Sequence, residues 1–165
     1  MIQKKICMLG SFAVGKTSLV SRFVSSMFSE KYLTTVGVKI DKKELAIEGR
    51  DVTLMLWDIN GQDDFQTVQQ SYLRGSSGYL LVVDGTRKAT LASAIELQRT
   101  AAQVVGNAPF AVVLNKSDLE SEWQVDNHGL WKLADQGASI VRTSAKTGEG
   151  VEQVFLKLAQ AMLAS

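Results

Sequence analysis

The chain has little of what small secreted or metal-bound proteins depend on. There is one cysteine, Cys7, and one histidine, His128, in 165 residues. No disulfide can form within the chain, which fits a reducing compartment. A lone histidine excludes a multi-histidine metal cluster. Cys7 sits in an apolar run and reads as a small core residue. His128 reads as a surface residue near a helix start. The lone proline, Pro109, precedes a strand-like run, and no Pro- or Gly-rich linker, internal repeat or low-complexity stretch breaks the chain. No apolar stretch approaches the roughly 18 residues that would span a bilayer. Charge is nearly balanced at +1, so nucleic acid is not indicated as a partner.

The termini are equally plain. Met1-Ile2-Gln3-Lys4-Lys5 runs straight into a strand-like segment, so no secretory signal is expected. The final Ala161-Met162-Leu163-Ala164-Ser165 lacks a cysteine for prenylation. The expectation is a cytoplasmic protein with no membrane anchor in this chain; a removed tail stays open. With 45% hydrophobic and 21% charged residues the composition is that of an ordinary globular protein. One domain over residues 1–165 is expected.

Apolar runs alternate with helical patterns. Ile6 to Leu9 ends in a glycine-rich turn, and Thr17 to Val24 has helical spacing. Lys39 to Ile47 and Asp51 to Trp57 flank Glu48-Gly49-Arg50, a hairpin turn. Tyr79 to Val83 and Phe110 to Leu114 are continuous apolar runs, as in parallel strands covered on both faces. Leu91, Ile95, Ala102 and Val105 suggest a long amphipathic helix. A shorter helix near Leu130 to Ala134 precedes the run Ala138 to Val141. Val151, Val154, Phe155, Leu158, Ala159 and Met162 fall on one helical face. The pattern predicts a three-layer α/β domain: six strands, mostly parallel with one antiparallel at the edge, and about five helices.

Gly10-Ser11-Phe12-Ala13-Val14-Gly15-Lys16-Thr17 matches the phosphate-loop pattern G-x-x-x-x-G-K-[ST] between a strand and a helix. Backbone N–H groups in such a loop curl around phosphate oxygens, and the helix N-terminus adds its positive end. Gly15 permits close approach, Lys16 reaches the β- and γ-phosphates, and the Thr17 hydroxyl can ligate Mg²⁺. Phe12, Ala13, Val14, Gly15, Lys16, Thr17 and Ser18 are the candidate phosphate contacts.

A phosphate loop does not identify the base; Asn115-Lys116-Ser117-Asp118 does. Guanine presents two N–H donors on one edge, and the Asp118 carboxylate can accept both. Adenine has no such pair, so discrimination is large. Asn115 would brace the loop beside N7, and the aliphatic stem of Lys116 would cover the ring. Ser144-Ala145-Lys146 follows the next apolar run in the same manner.

With these motifs, and with Trp57-Asp58-x-x-Gly61-Gln62, Tyr72-Leu73-Arg74-Gly75 and Thr147-Gly148-Glu149-Gly150-Val151-Glu152, the chain resembles the Ras superfamily over its whole length, nearest in pattern to Rab-like members. The resemblance implies a G-domain that switches between GTP and GDP, binds Mg²⁺ and hydrolyses GTP slowly. By analogy the Ala145 N–H meets the guanine carbonyl, Lys146 supports the base, and Phe28 packs beside it. Asp58 would hold the Mg²⁺ shell through water, and the Gly61 N–H would sense the γ-phosphate. Gln62 matches the glutamine that orients the attacking water. The family's Thr-x-Gly spacing selects Thr35 as second hydroxyl ligand, although Thr34 stands where relatives carry proline. The loops around 30–38 and 59–74 would dock effectors, with exchange and activating proteins as further partners.

Phe12 departs from the small residues usual at its position. A large side chain there would crowd the γ-phosphate and any arginine finger, pointing to weak hydrolysis; the alternative is that it turns outward against the switch loops. A guanine-nucleotide-binding interaction module and the G-domain of a longer protein are the competing readings. Asn60, Asp63 and Asp64 also depart from the usual residues, leaving the partner open. Trp123 and Trp131 are expected to be partly buried, and Arg87-Lys88 to be solvated.

Overall fold

A computed structural model describes residues 2–11, 14–24, 31–33, 39–58 and 71–164. Its strands are β1 (Ile2–Leu9), β2 (Lys31–Leu33), β3 (Lys39–Ile47), β4 (Arg50–Asp58), β5 (Gly78–Asp84), β6 (Phe110–Asn115) and β7 (Ser139–Arg142). The helices α1 (Lys16–Val24), α2 (Ala89–Val105), α3 (Asn127–Ala134) and α4 (Val151–Ala164) join a short 3-10 helix, Ser117–Glu122.

The strands form one sheet in the order β2-β3-β4-β1-β5-β6-β7. All six expected strands are present, with the antiparallel arm where the hairpin put it. The three residues of β2 pair antiparallel with β3 and make a seventh strand at the rim. Glu48 and Gly49 connect β3 to β4, both with positive φ, 53° and 77°. Positive φ at both central residues marks the type I′ turn, whose twist suits a two-residue hairpin.

Period-two alternation sorts the core into two layers. On β1, Ile6 and Met8 join one apolar cluster with α1 and α4, while Cys7 and Leu9 join the other with α2 and α3. β5 is buried at every position because both its faces are covered. The α4 face read from the sequence is the buried one, and Phe155 stacks on Phe23 at 4.1 Å between ring centroids. The far side of that Phe23 contact is unusual. Lys43 is buried, its ammonium donating to the Phe23 carbonyl and lying 4.1 Å from the ring centroid.

β1 runs parallel to β4 and β5, β5 to β6, and β6 to β7. Five strands therefore present their C-terminal ends on one edge of the sheet, where open α/β folds bind ligands. Among the described residues no helix is long and apolar enough to cross a membrane.

Candidate functional site

The loop after β1 enters α1 through Gly15, whose φ is +103°. Only glycine suits that position on two counts. Its φ is one that side chains avoid, and a Cβ there would lie 2.2 Å from the Asn115 side-chain nitrogen. Lys16 is buried and donates to the Gly10 carbonyl at 3.1 Å, so its side chain folds back across the loop. Burial pushes its ammonium below the usual lysine value, and the Asp58 charge opposes this. Thr17 and Ser18 are exposed at the first turn of α1.

Asp58 ends β4 and is 3% exposed. Its Oδ2 accepts from the Thr17 hydroxyl at 2.5 Å, while Oδ1 is buried with no hydrogen-bond partner among the described residues. A buried carboxylate oxygen without a partner is costly. A hard cation beside Thr17 and Asp58 would relieve that cost, and its preference for oxygen donors fits both groups.

Asn115, at the end of β6, joins the two halves of the site. Its side-chain N–H donates to the Val14 carbonyl at 2.9 Å, and its oxygen accepts from the Thr143 hydroxyl at 3.1 Å. Beyond it, Ser144 is fully buried and donates to Asp118 Oδ1 at 2.7 Å while accepting from the Thr147 N–H at 3.1 Å. Asp118 itself is exposed on the 3-10 helix. Its carboxylate is thus aimed by a serine fixed in the core. Ala145 is half-buried and Lys146 exposed in the turn that follows.

The structure also supplies a residue that sequence reasoning missed. Asp84 closes β5 and is fully buried. Its Oδ1 accepts from the Thr86 N–H at 2.9 Å and hydroxyl at 2.6 Å; its Oδ2 takes Arg87 at 2.9 Å and Lys116 at 2.8 Å. Burial alone would raise the Asp84 pKa, but the bonds from Lys116, Thr86 and Arg87 outweigh it and hold the carboxyl at about 2. Arg87 is exposed, as expected, and its guanidinium also pairs with this buried carboxylate. The only sequence signal was an aspartate ending an apolar run.

A stability consequence follows from this depression. The folded chain prefers the charged Asp84, so its contribution is complete above the unfolded value near 3.8 and fades as pH falls toward about 2. Asp84→Asn should cost on the order of 1–2 kcal/mol at pH 7, discounted for partly exposed partners, and roughly half that at pH 3. Urea unfolding of both proteins at the two pH values measures this; an equal gap would refute it.

Trp123 is half-buried as expected, its ring set so close to Gly85 that a Cβ there would fall 2.2 Å away. Arg142 lies 4.6 Å from the same ring. Trp131 contradicts expectation. It is 71% exposed because α3 turns it away from the core that takes Leu130 and Leu133. His128 is exposed, and its N–H is capped by Asp126 at 3.1 Å. Arg74 is exposed, and its carbonyl accepts from Lys5 at 2.9 Å. A cavity of about 450 Å³ beside Tyr79, Gln98 and Lys157 opens at the N-terminal ends of β5 and β6, away from all these groups. Phe12, Ala13, Phe28, Thr34, Thr35, Asn60, Gly61, Gln62, Asp63 and Asp64 lie outside the described residues.

Comparison with known proteins agrees in one direction. Residues 5–164 match a profile of the Ras family. The chain is also 33% identical over 157 residues to the Ras-related protein SEC4 of Saccharomyces cerevisiae, covering 94% of this chain and 73% of that protein.

Proposed function

Because this chain belongs to the Ras family, as a Rab-like small GTPase, we propose that it binds GTP and GDP with Mg²⁺ at the edge described above and hydrolyses GTP slowly. The observation that carries this reading is Asn115. One buried side chain touches both the phosphate loop at Val14 and the base-side loop at Thr143. A nucleotide binds across just such a junction.

In this reading Val14, Gly15, Lys16, Thr17 and Ser18, with Phe12 and Ala13, enclose the phosphates. Lys16, whose ammonium donates to the Gly10 carbonyl, would reach the β- and γ-phosphates, whose negative charge favours its ammonium form. Thr17 and Asp58, with Thr35, would hold Mg²⁺, which when bound neutralises charge on the phosphate oxygens. Asp118 accepts from guanine, Lys116 covers its face, and Asn115, Ser144, Ala145, Lys146 and Phe28 complete the pocket. Gln62 would orient the attacking water and Gly61 would sense the γ-phosphate, giving a turnover on the order of 10⁻⁴ to 10⁻² s⁻¹ without a regulator. The loops around 30–38 and 59–74 would present the GTP-bound form to effectors.

Nucleotide content after purification, followed by competition among GDP, GTP and ATP, tests the binding. Guanine nucleotide displaced by GDP but not ATP is expected; preference for ATP would end the reading. Single-turnover hydrolysis with and without Mg²⁺ tests the chemistry.

Phe12 favours a second reading, a guanine-nucleotide-binding module that barely turns over. If its ring crowds the γ-phosphate, Phe12→Gly should raise the single-turnover rate at least about threefold, a barrier change of roughly 0.7 kcal/mol. An unchanged rate would mean that the ring is not in the way.

A further inference from the structure

Lys116 carries a Cβ yet has a left-handed backbone, φ 70°. Such a conformation persists only where the surroundings impose it, and it concentrates at functional sites. The backbone is held on its C-terminal side. The Ser117 N–H donates to the Thr143 carbonyl at 2.9 Å, and the Leu119 N–H donates to the Lys116 carbonyl at 2.9 Å. The far end of the side chain is held too, with the ammonium 2.8 Å from Asp84 Oδ2.

Asp84 is not free to follow Lys116. It is fully buried, paired in register with Asn115 across β5 and β6, and its Oδ1 is occupied by both donors of Thr86. Oδ2 is left to receive the lysine and Arg87. The Lys116 stem is therefore fixed at both ends by the protein's own groups. An unanchored lysine would surrender its rotamer freedom on binding, a penalty equivalent to roughly tenfold in affinity.

We propose that Asp84 is a positioning residue for base recognition, anchoring the Lys116 ammonium so that the aliphatic stem stands ready as a surface for the purine ring. The inference rests on the guanine-nucleotide reading above. Asp84 touches no part of the nucleotide; its effect passes through Lys116 alone. Arg87 shares the carboxylate but contributes nothing to the base.

The test is release of methylanthraniloyl-GDP from the full chain, measured for Asp84→Asn, for Lys116→Met, which keeps an unbranched stem without its charge, and for the double variant. Asp84→Asn should release the nucleotide about tenfold faster, and in the Lys116→Met background it should add less than about twofold. A general loss of stability would instead multiply the two effects, and that outcome, or a wild-type rate in Asp84→Asn, overturns the proposal. Arg87→Gln gives a second arm should Asp84→Asn fail to fold. It leaves the Lys116 pair intact and should change release less than about twofold, whereas a tenfold acceleration overturns the proposal. Wild-type protein without affinity for guanine nucleotide overturns the functional reading as well; normal binding with an indifferent Asp84→Asn overturns the inference alone.

Discussion

Asp118→Ala should lower the affinity for GDP about 10³-fold while leaving the fold almost untouched. Two hydrogen bonds from guanine to a carboxylate contribute about 1.5–3 kcal/mol each, and their joint loss corresponds to two to four orders of magnitude. The side chain is exposed on the 3-10 helix, so its removal opens no cavity. The one internal loss is the acceptor for the buried Ser144 hydroxyl at 2.7 Å, which costs about 1 kcal/mol. Titration calorimetry with GDP and urea unfolding of the apo protein separate the two quantities. Selection of GDP over ATP should collapse together with the affinity. A variant that still discriminates would show that another group reads the base.

Gly15→Ala should act the other way, striking fold and binding at once. The new Cβ meets a φ of +103° and a side-chain nitrogen 2.2 Å away. Either the loop shifts or Asn115 gives up its bond to the Val14 carbonyl, 2.9 Å in the native chain. Asn115 is 1% exposed, so an amide released there finds no water. Backbone strain and the lost buried bond together should cost about 2–4 kcal/mol. The loop amides would no longer converge, and GDP affinity should fall at least about a hundredfold. Native-like urea unfolding with unaltered affinity would mean that the loop tolerates a side chain and that the Asn115 bridge is dispensable.

Much of this architecture could be read from residues alone, for reasons that differ by element. The hairpin was visible because Glu48-Gly49 is a local turn between two alternating arms, and β3 and β4 extend on either side of it. The last helix was visible because six apolar residues repeat on one face, and those six are buried. Motifs at 10–17 and 115–118 are likewise local, since each binding function is packed into a few consecutive residues. What escaped notice depends on approach between distant parts of the chain. Asp84 and Lys116 are separated by a helix and a strand, and nothing in either neighbourhood announces the other. Lys43 is buried through its approach to Phe23 on α1, a contact that no local pattern announces. Trp131 reads as apolar in any window, and only the docking of α3 decides which side faces outward. β2 is three residues long, too short for a periodic signal.

Cys7 has a practical consequence. The chain's single thiol is fully enclosed, 3.1 Å from the Ser76 hydroxyl, and burial raises its pKa, with Ser76 and Lys5 pulling the other way. Little thiolate exists at neutral pH, and reagents have no route to it. Toward maleimide dyes the native protein is therefore a blank background. A cysteine introduced at an exposed position, such as Trp131→Cys on α3, would carry the dye by itself, and the fluorescence would come from that one position.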